Sequence, residues 1–445
     1  MNLLWQRAHH FRNTNFVRRV ATLQVGSFGG TFIQAVIGIF LARLLQPELF
    51  GLYSLAFGLA SLASVFLGAG FQDAMTSVIA RSYAEKDKQE VKNSFSFLFK
   101  ISLITSIIAL VLSLFLPLIA DRFYDNSKIG DFASIIVYGS IISTLLFSIC
   151  LIGLQVTGKI RQMAILVSAD QAFRYGIALI LVMLGFEVYG AVAGHLYGAL
   201  VLAFISFFVW RRLAYEFSLF PTFKEVIEGI VWVPLKKYLG FSLWVTLDRN
   251  LSNVYMALPV ILTGIYVAPG EVTFFKLAFG FVNLGLSLLG PISTMLNVEF
   301  PRIHVESRDK LLKHFIRISF FSLGISALLT AGAVALSPLA FKLLYGDAFL
   351  PSIKLVFGLF LYGGLFGLGV GLGPMWRAIN KVKISIVINL IVLGLGIPLA
   401  LVLIRSYGLW GAVATVTIWF TSSHLISFIY LAKELKKVES GDLKV

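Results

Sequence analysis

Apolar residues recur along this chain in blocks of about twenty or more, and each block closes in a short polar, basic or Gly/Pro turn. A helix needs about 20 apolar residues to cross the hydrocarbon core of a bilayer. Blocks of that length lie near 20–43, 50–80, 95–120, 131–156, 162–185, 188–210, 238–266, 271–300, 311–340, 351–376, 383–404 and 408–432. They predict twelve membrane-spanning helices. A membrane β-barrel is excluded, because its strands need short segments of strict alternation. The expected fold class is an all-α polytopic membrane protein.

The pattern repeats at an offset of 221 to 222 residues. PLIADRFY (117–124) falls on PLAFKLLY (338–345), with Pro117 over Pro338 and Tyr124 over Tyr345. YGAVA (189–193) falls on WGAVA (410–414), TGKIR (157–161) on INKVK (379–383), and Arg81 on Arg302. Each half then holds six spans. Six is even, so both halves share one orientation, and the implied pseudo-twofold axis runs along the membrane normal. The expected organisation is an N-terminal six-helix lobe over 1–212, a cytoplasmic amphipathic linker over 213–237 and a C-terminal six-helix lobe over 238–445. The linker carries PTFKEVIEGIVWVPLKK and reads as interfacial. The first 19 residues, with Trp5, Phe11 and Phe16 among basic residues, read the same way.

Composition supports a membrane as the solvent. The chain is 58% hydrophobic and only 13% charged, with 40 Phe in 445 residues. Soluble domains carry about 25% charged residues. The net charge of +15 does not point to nucleic acid, because the cations cluster in short loops between apolar blocks. With the N-terminus on one side, that side collects 28 Lys and Arg against six on the other: Arg43, Arg122, Lys128, Lys342, Lys354 and Arg405. The positive-inside rule makes the richer side cytoplasmic and places both termini there. The single cysteine, Cys150, lies inside an apolar block and allows no intramolecular disulfide.

A few charges break the apolar pattern. Asp73, Asp170, Arg174, Asp248, Arg249 and Lys276 all fall within expected spans. Each costs roughly 2.5–3.5 kcal/mol at the centre of a lipid-facing helix, so they must meet protein or water. Asp170 and Arg174 stand four apart with the acid first, the favourable order for a pair on one helix face. They are either a self-neutralising pair or an arginine held toward a cleft. Asp248 and Arg249 are adjacent and point about 100° apart, so each needs a partner elsewhere. With Trp244, Ser252, Asn253 and Tyr255 they give the seventh span a broad polar face, expected to line a wet cavity. Lys276 lies about one turn inside the outer end of its span, where snorkelling is open to it. Asp73 is placed to cap or pair near the cytoplasmic end. His195, His424, Gln24, Gln34, Asn283 and Asn297 are single polar residues in spans, read as interhelical hydrogen bonds or cavity lining. The run GGLFGLGVGLGP (363–374) is dense in glycine and serves either a flexible span or close packing.

There is no Walker A, HExxH, CxxC or GxSxG motif and no large outer loop. These absences disfavour an enzyme and a primary pump.

The first two spans read GSFGGTFIQAVIGIFLARLLQPELFGLYSLAFGLASLASVFLGAGFQDA, and the seventh LWVTLDRNLSNVYMALPVILTGIY. With the YGAVAG and WGAVAT segments they resemble the polysaccharide transporters of O-antigen flippase type, in the multidrug/oligosaccharidyl-lipid/polysaccharide superfamily. That resemblance implies a flippase of the inner cell membrane. It would move an undecaprenyl-diphosphate-linked oligosaccharide from the cytoplasmic to the outer leaflet by alternating access. It also implies lipid-linked oligosaccharide, membrane lipid and other polysaccharide-assembly membrane proteins as partners, and no nucleic acid. In that frame Arg174, Arg249, Lys276 and Asn253 are the candidate substrate-binding residues. Asp248, Asp73 and Asp170 are the candidates for a coupling ion, Na⁺ or a proton, with no other cofactor. A multidrug or organic-cation antiporter of the same superfamily is the alternative, and it would favour a cavity with excess acid.

Overall fold

The structure is a computed structural model that describes residues 15–67 and 69–437. The interfacial reading of the first 19 residues and the last tail lysine, Lys444, lie largely or wholly outside them. Every regular element among the described residues is helical. Among the described residues seven helices are long and apolar enough to cross a membrane, and the bent pair Asp347–Gly358 and Phe360–Ala378 adds an eighth. Three of the seven contain a point where the backbone leaves helical geometry: Gln46, Gly185 and Gly408. Gln46 falls between two expected spans, and Gly185 and Gly408 at an end of one, so each of these long helices is two segments meeting at a tight turn. Leu235–Gly264 lies outside the apolar set and carries Asp248, Arg249 and Asn250 at its midpoint. Among the described residues the expected intervals are predominantly helical, several of them broken by short turns, 3-10 or π segments.

The turns repeat as the sequence does. Gly158 (φ 74°) falls on Asn380 (φ 55°), and Asp125 (φ 50°) on Gly346 (φ 96°). The left-handed region admits Gly freely and Asn or Asp at little strain. The residue types at these four positions are those that can make the turn.

The chain divides into two compact units: residues up to Leu45 with Leu59–Asn250, and Gln46–Gly58 with Leu251–Val445. In the first unit an aromatic cluster forms the centre of the core. Phe95 meets Trp210 edge-on at 5.2 Å and Phe220 at 5.1 Å, and Cys150 is fully buried nearby. Phe220 begins the connection to the short helix Phe223–Trp232. That helix opens with a capping box, in which Thr222 accepts from the Glu225 N–H and the Glu225 carboxylate accepts from the Thr222 N–H at 2.7 Å. Its inner side docks on helix Lys88–Ser113. The Ser96 hydroxyl donates to the Val226 carbonyl at 3.0 Å, and Lys100 Nζ to the Val233 carbonyl at 3.1 Å. Ile227, Val231 and Trp232 are left exposed on its other side. Lys237 and Tyr238 then both donate to Glu90.

In the second unit Gly51 makes a backbone contact that only glycine permits, since a Cβ would stand 1.9 Å from the Pro269 carbonyl oxygen. The Thr273 hydroxyl donates to the Pro47 carbonyl at 2.6 Å beside it.

Candidate binding site

Two polar regions interrupt the apolar packing, one within the first unit and one on the helix Leu235–Gly264. One lies on helices Ile160–Leu181 and Glu187–Glu216, which meet along a seam of small residues. Gly190, Gly194 and Gly198 recur every four positions and face one neighbour, a spacing that lets membrane helices close to backbone contact. A Cβ on Gly194 would stand 2.4 Å from Ala178 Cα, and one on Gly198 2.6 Å from Arg174 Cα. The seam fixes where Arg174 sits.

Arg174 and Asp170 form an ion pair there, Nε to Oδ1 at 2.6 Å, with both side chains 12% exposed. Arg174 Nη1 donates to the His195 carbonyl at 3.3 Å and Nη2 donates to the Ser143 hydroxyl. Ser143 opens a π-helical turn, Ser143–Phe147, which widens its helix at this depth. Gln171 donates to the second Asp170 oxygen at 3.1 Å. Gln34 donates to the Tyr175 hydroxyl at 2.7 Å, and the Tyr175 ring packs edge-on against the buried His195. The pair is therefore held inside a helix-to-helix network, and only part of the guanidinium is left for anything else.

The second region is the midpoint of Leu235–Gly264. Arg249, Ser252 and Asn253 are exposed there and Asp248 is half-buried. Asn250 turns inward and donates to the Val65 carbonyl at 2.7 Å. Tyr255 leaves the expected polar stripe altogether: it is buried in the second unit and donates to the Asn389 carbonyl at 3.0 Å. The polar face is narrower than the sequence suggested, because a tyrosine one turn along the stripe has an apolar ring to bury.

Lys276, on Pro269–Leu286, is half-buried and makes no hydrogen bond or ion pair with any described residue. The Asp73 side chain lies outside the described residues, and so does that of Gln24. The structure joins Asp170 to Arg174 and keeps Asp248, Arg249 and Asn253 on one helix.

The second unit holds an open cavity of about 430 Å³ lined by its own residues. Asn283, Ser287, Ser293, Arg377 and His424 bring polar atoms to it, among Met256, Leu286, Leu289, Phe366, Val370 and Pro374. Arg377 donates to Asn297 Oδ1 at 2.8 Å, and the Tyr362 hydroxyl donates to Asn283 Oδ1 at 2.7 Å. Asn283 and Asn297 thus make interhelical bonds, while their helix also walls the cavity. Sequence reading noticed these residues singly and missed their convergence. The available signal was spacing: Gly373 and Gly369 of the glycine-dense run stand four and eight residues before Arg377.

The profile of a family described as "Polysaccharide biosynthesis protein" matches residues 16–304. Comparison with curated protein sequences finds no match. Among solved structures the fold is similar to an inward-facing multidrug resistance MATE family transporter of the MOP superfamily. That match has a TM-score of 0.69 at 16% identity, covering 92% of this chain and 96% of the other. The outward-facing conformation of a multidrug resistance MATE family transporter matches with a TM-score of 0.64 at 16% identity, covering 97% and 98%. The lipid II flippase MurJ, in an inward closed conformation, matches with a TM-score of 0.67 at 18% identity, covering 93% and 87%.

Proposed function

The chain belongs to the polysaccharide biosynthesis protein family, and from that premise we propose that it is a flippase for a lipid-linked oligosaccharide. It carries an undecaprenyl-diphosphate-linked glycan from the cytoplasmic to the outer leaflet of the cell membrane, with both termini cytoplasmic. One observation carries this reading: Arg249 is exposed at the centre of a helix long enough to cross the bilayer, beside Asp248, Ser252 and Asn253. Hydrocarbon would penalise that arginine by roughly 2.5–3.5 kcal/mol, so its surroundings are polar.

A diphosphate headgroup cannot cross hydrocarbon unaided. The guanidinium fork of Arg249 suits phosphate oxygens in a charge-assisted, bidentate contact. Asn253, one turn along, adds an amide donor. Arg174, through the N–H groups its network leaves over, and Lys276 are the further candidate cations, each in its own unit. Asp248 is the first choice for a coupling Na⁺ or proton. Asp73 is an alternative, and Asp170 is the weaker one, since both its oxygens already accept hydrogen bonds. Alternating access driven by the ion gradient completes the cycle.

The test is Arg249→Ala in cells and in vesicles. Surface glycan export should fall at least tenfold while the protein stays at normal level in the membrane. Flipping of a fluorescent diphosphate-linked oligosaccharide should fall equally. Normal export would remove Arg249 from the site. The antiporter reading draws on the MATE-like fold, and dye efflux separates it: efflux from vesicles with no movement of the lipid-linked glycan would favour the antiporter.

A further inference from the structure

We propose that the cavity of the second unit is a ligand subsite for a saccharide bearing an oxyanion, with Arg377 as its charge partner. The choice of a saccharide rests on the flippase reading above; the site itself rests on the cavity. Its volume of about 430 Å³ lies within the range of small-molecule sites, and its lining has their character: mostly apolar, with a few polar groups converging.

The polar groups are of one kind. Arg377 is a permanent cation, and no Asp or Glu is among the described residues that line the cavity. Arg377 is also held in place. Its Nη1 is fixed on Asn297 at 2.8 Å, which leaves the rest of the fork for a ligand. Asn283, Ser287 and Ser293 supply amide and hydroxyl groups suited to sugar hydroxyls, and Phe366 supplies an aromatic ring at the wall. The deposit of charge and hydroxyl-binding groups in one pocket fits a carboxylate-bearing or phosphate-bearing sugar better than a neutral lipid or a cationic drug.

Glycine shapes the pocket. A Cβ on Gly369 would stand 2.4 Å from the His424 ring, so the absence of one lets the imidazole sit against that backbone at the cavity wall. His424 Nδ1 is buried and has no hydrogen-bond partner among the described residues. Gly373 lies beneath the Arg377 guanidinium, whose Nη2 would be 3.7 Å from a Cβ there. Close packing of span ten is thus used to seat two pocket side chains.

The experiment uses the purified full chain in neutral phosphatidylcholine nanodiscs and saturation-transfer NMR. The probes are methyl glucuronide, methyl glucoside and inorganic diphosphate. The glucuronide or the diphosphate should bind at least tenfold tighter than the glucoside. Arg377→Gln should erase that preference and Arg377→Lys should retain part of it, each measured in an Arg249→Ala background so that the diphosphate contact proposed above does not contribute. Binding of the glucuronide alone assigns the pocket to a sugar carboxylate; binding of the diphosphate alone assigns it to the phosphate of the carrier. Gly369→Ala, which drives the imidazole toward the cavity, should weaken the bound probe at least fivefold. Equal binding of all three probes, or a preference unchanged in Arg377→Gln, overturns the proposal. Either result leaves the flipping test of Arg249 standing on its own.

Discussion

The hairpin Ile160–Glu216 of the first unit and the hairpin Val382–Lys436 of the second occupy matching stretches of the repeat, and they solve one packing problem in opposite ways. In the first, a large residue on the leading arm, Arg174, lies against a glycine on the returning arm, Gly198. In the second the sizes are exchanged: Gly396 on the leading arm lies against Trp419, which stands where Gly198 does in the repeat. A Cβ on Gly396 would reach within 2.4 Å of the Trp419 indole nitrogen. Both hairpins place small against large, but only one has a charge pair at that depth. The apolar version shows that this hairpin folds without ions. The Asp170–Arg174 pair is therefore not something the architecture requires.

The largest effect should come from splitting the pair. Arg174→Ala leaves Asp170 buried with its main partner gone, and breaking such a pair costs about 3–5 kcal/mol. Thermal unfolding in detergent should show it, together with a loss of monodisperse protein. The double variant Asp170→Leu with Arg174→Leu imitates the second hairpin and should recover most of that stability. If it recovers stability but not flipping, the pair serves transport; if it recovers neither, the two hairpins are less alike than their packing indicates.

A middle-sized effect distinguishes the two kinds of contact. Gly198→Ala and Gly396→Ala should each destabilise by about 1–3 kcal/mol through overpacking. Trimming the opposite side chain should rescue only one. Trp419→Phe removes the clashing indole nitrogen and should relieve Gly396→Ala. Trimming Arg174 cannot relieve Gly198→Ala, because the clash there is with backbone atoms. Equal rescue in both would mean that the first seam is not a backbone contact.

The smallest effect is a control outside both hairpins. Thr222→Ala removes the cap of helix Phe223–Trp232 and should cost about 1 kcal/mol. The Glu225 carboxyl is held below its ordinary value, first by the hydrogen bond from the Thr222 backbone N–H. A depressed acid stabilises the fold above its unfolded value, about 4.3, and loses that contribution as pH falls through the lower folded one. The difference between wild type and Glu225→Gln should shrink below about pH 4, whereas that of Thr222→Ala, which keeps the backbone N–H, should change less. Melting curves at pH 7 and pH 3.5 check it.

The sequence carried the helical class and the positions of the helices, because bilayer thickness imposes a length that composition alone reveals. It also carried the Asp170–Arg174 pair, a contact within one helix that needs only the four-residue spacing. Contacts between distant segments were less legible. That Arg174 would reach Ser143 and the His195 carbonyl depends on a π-turn and on the approach allowed by Gly139, Gly194 and Gly198. Tyr255 looked like part of a polar stripe, since its hydroxyl counts as polar in a pattern, yet its ring is buried. The cavity beside Arg377 draws on five helices, and no periodicity within one of them encodes it.

The Gly190–Gly194–Gly198 seam has a mechanical consequence. Packed helices slide over one another by repacking a layer of interdigitated side chains. Where main chain rests on main chain that layer is missing, and there is nothing to shear. The hairpin Ile160–Glu216 should therefore travel as a single stiff paddle through whatever cycle the protein runs. Its bending is left to the left-handed turn at Gly158 that precedes it.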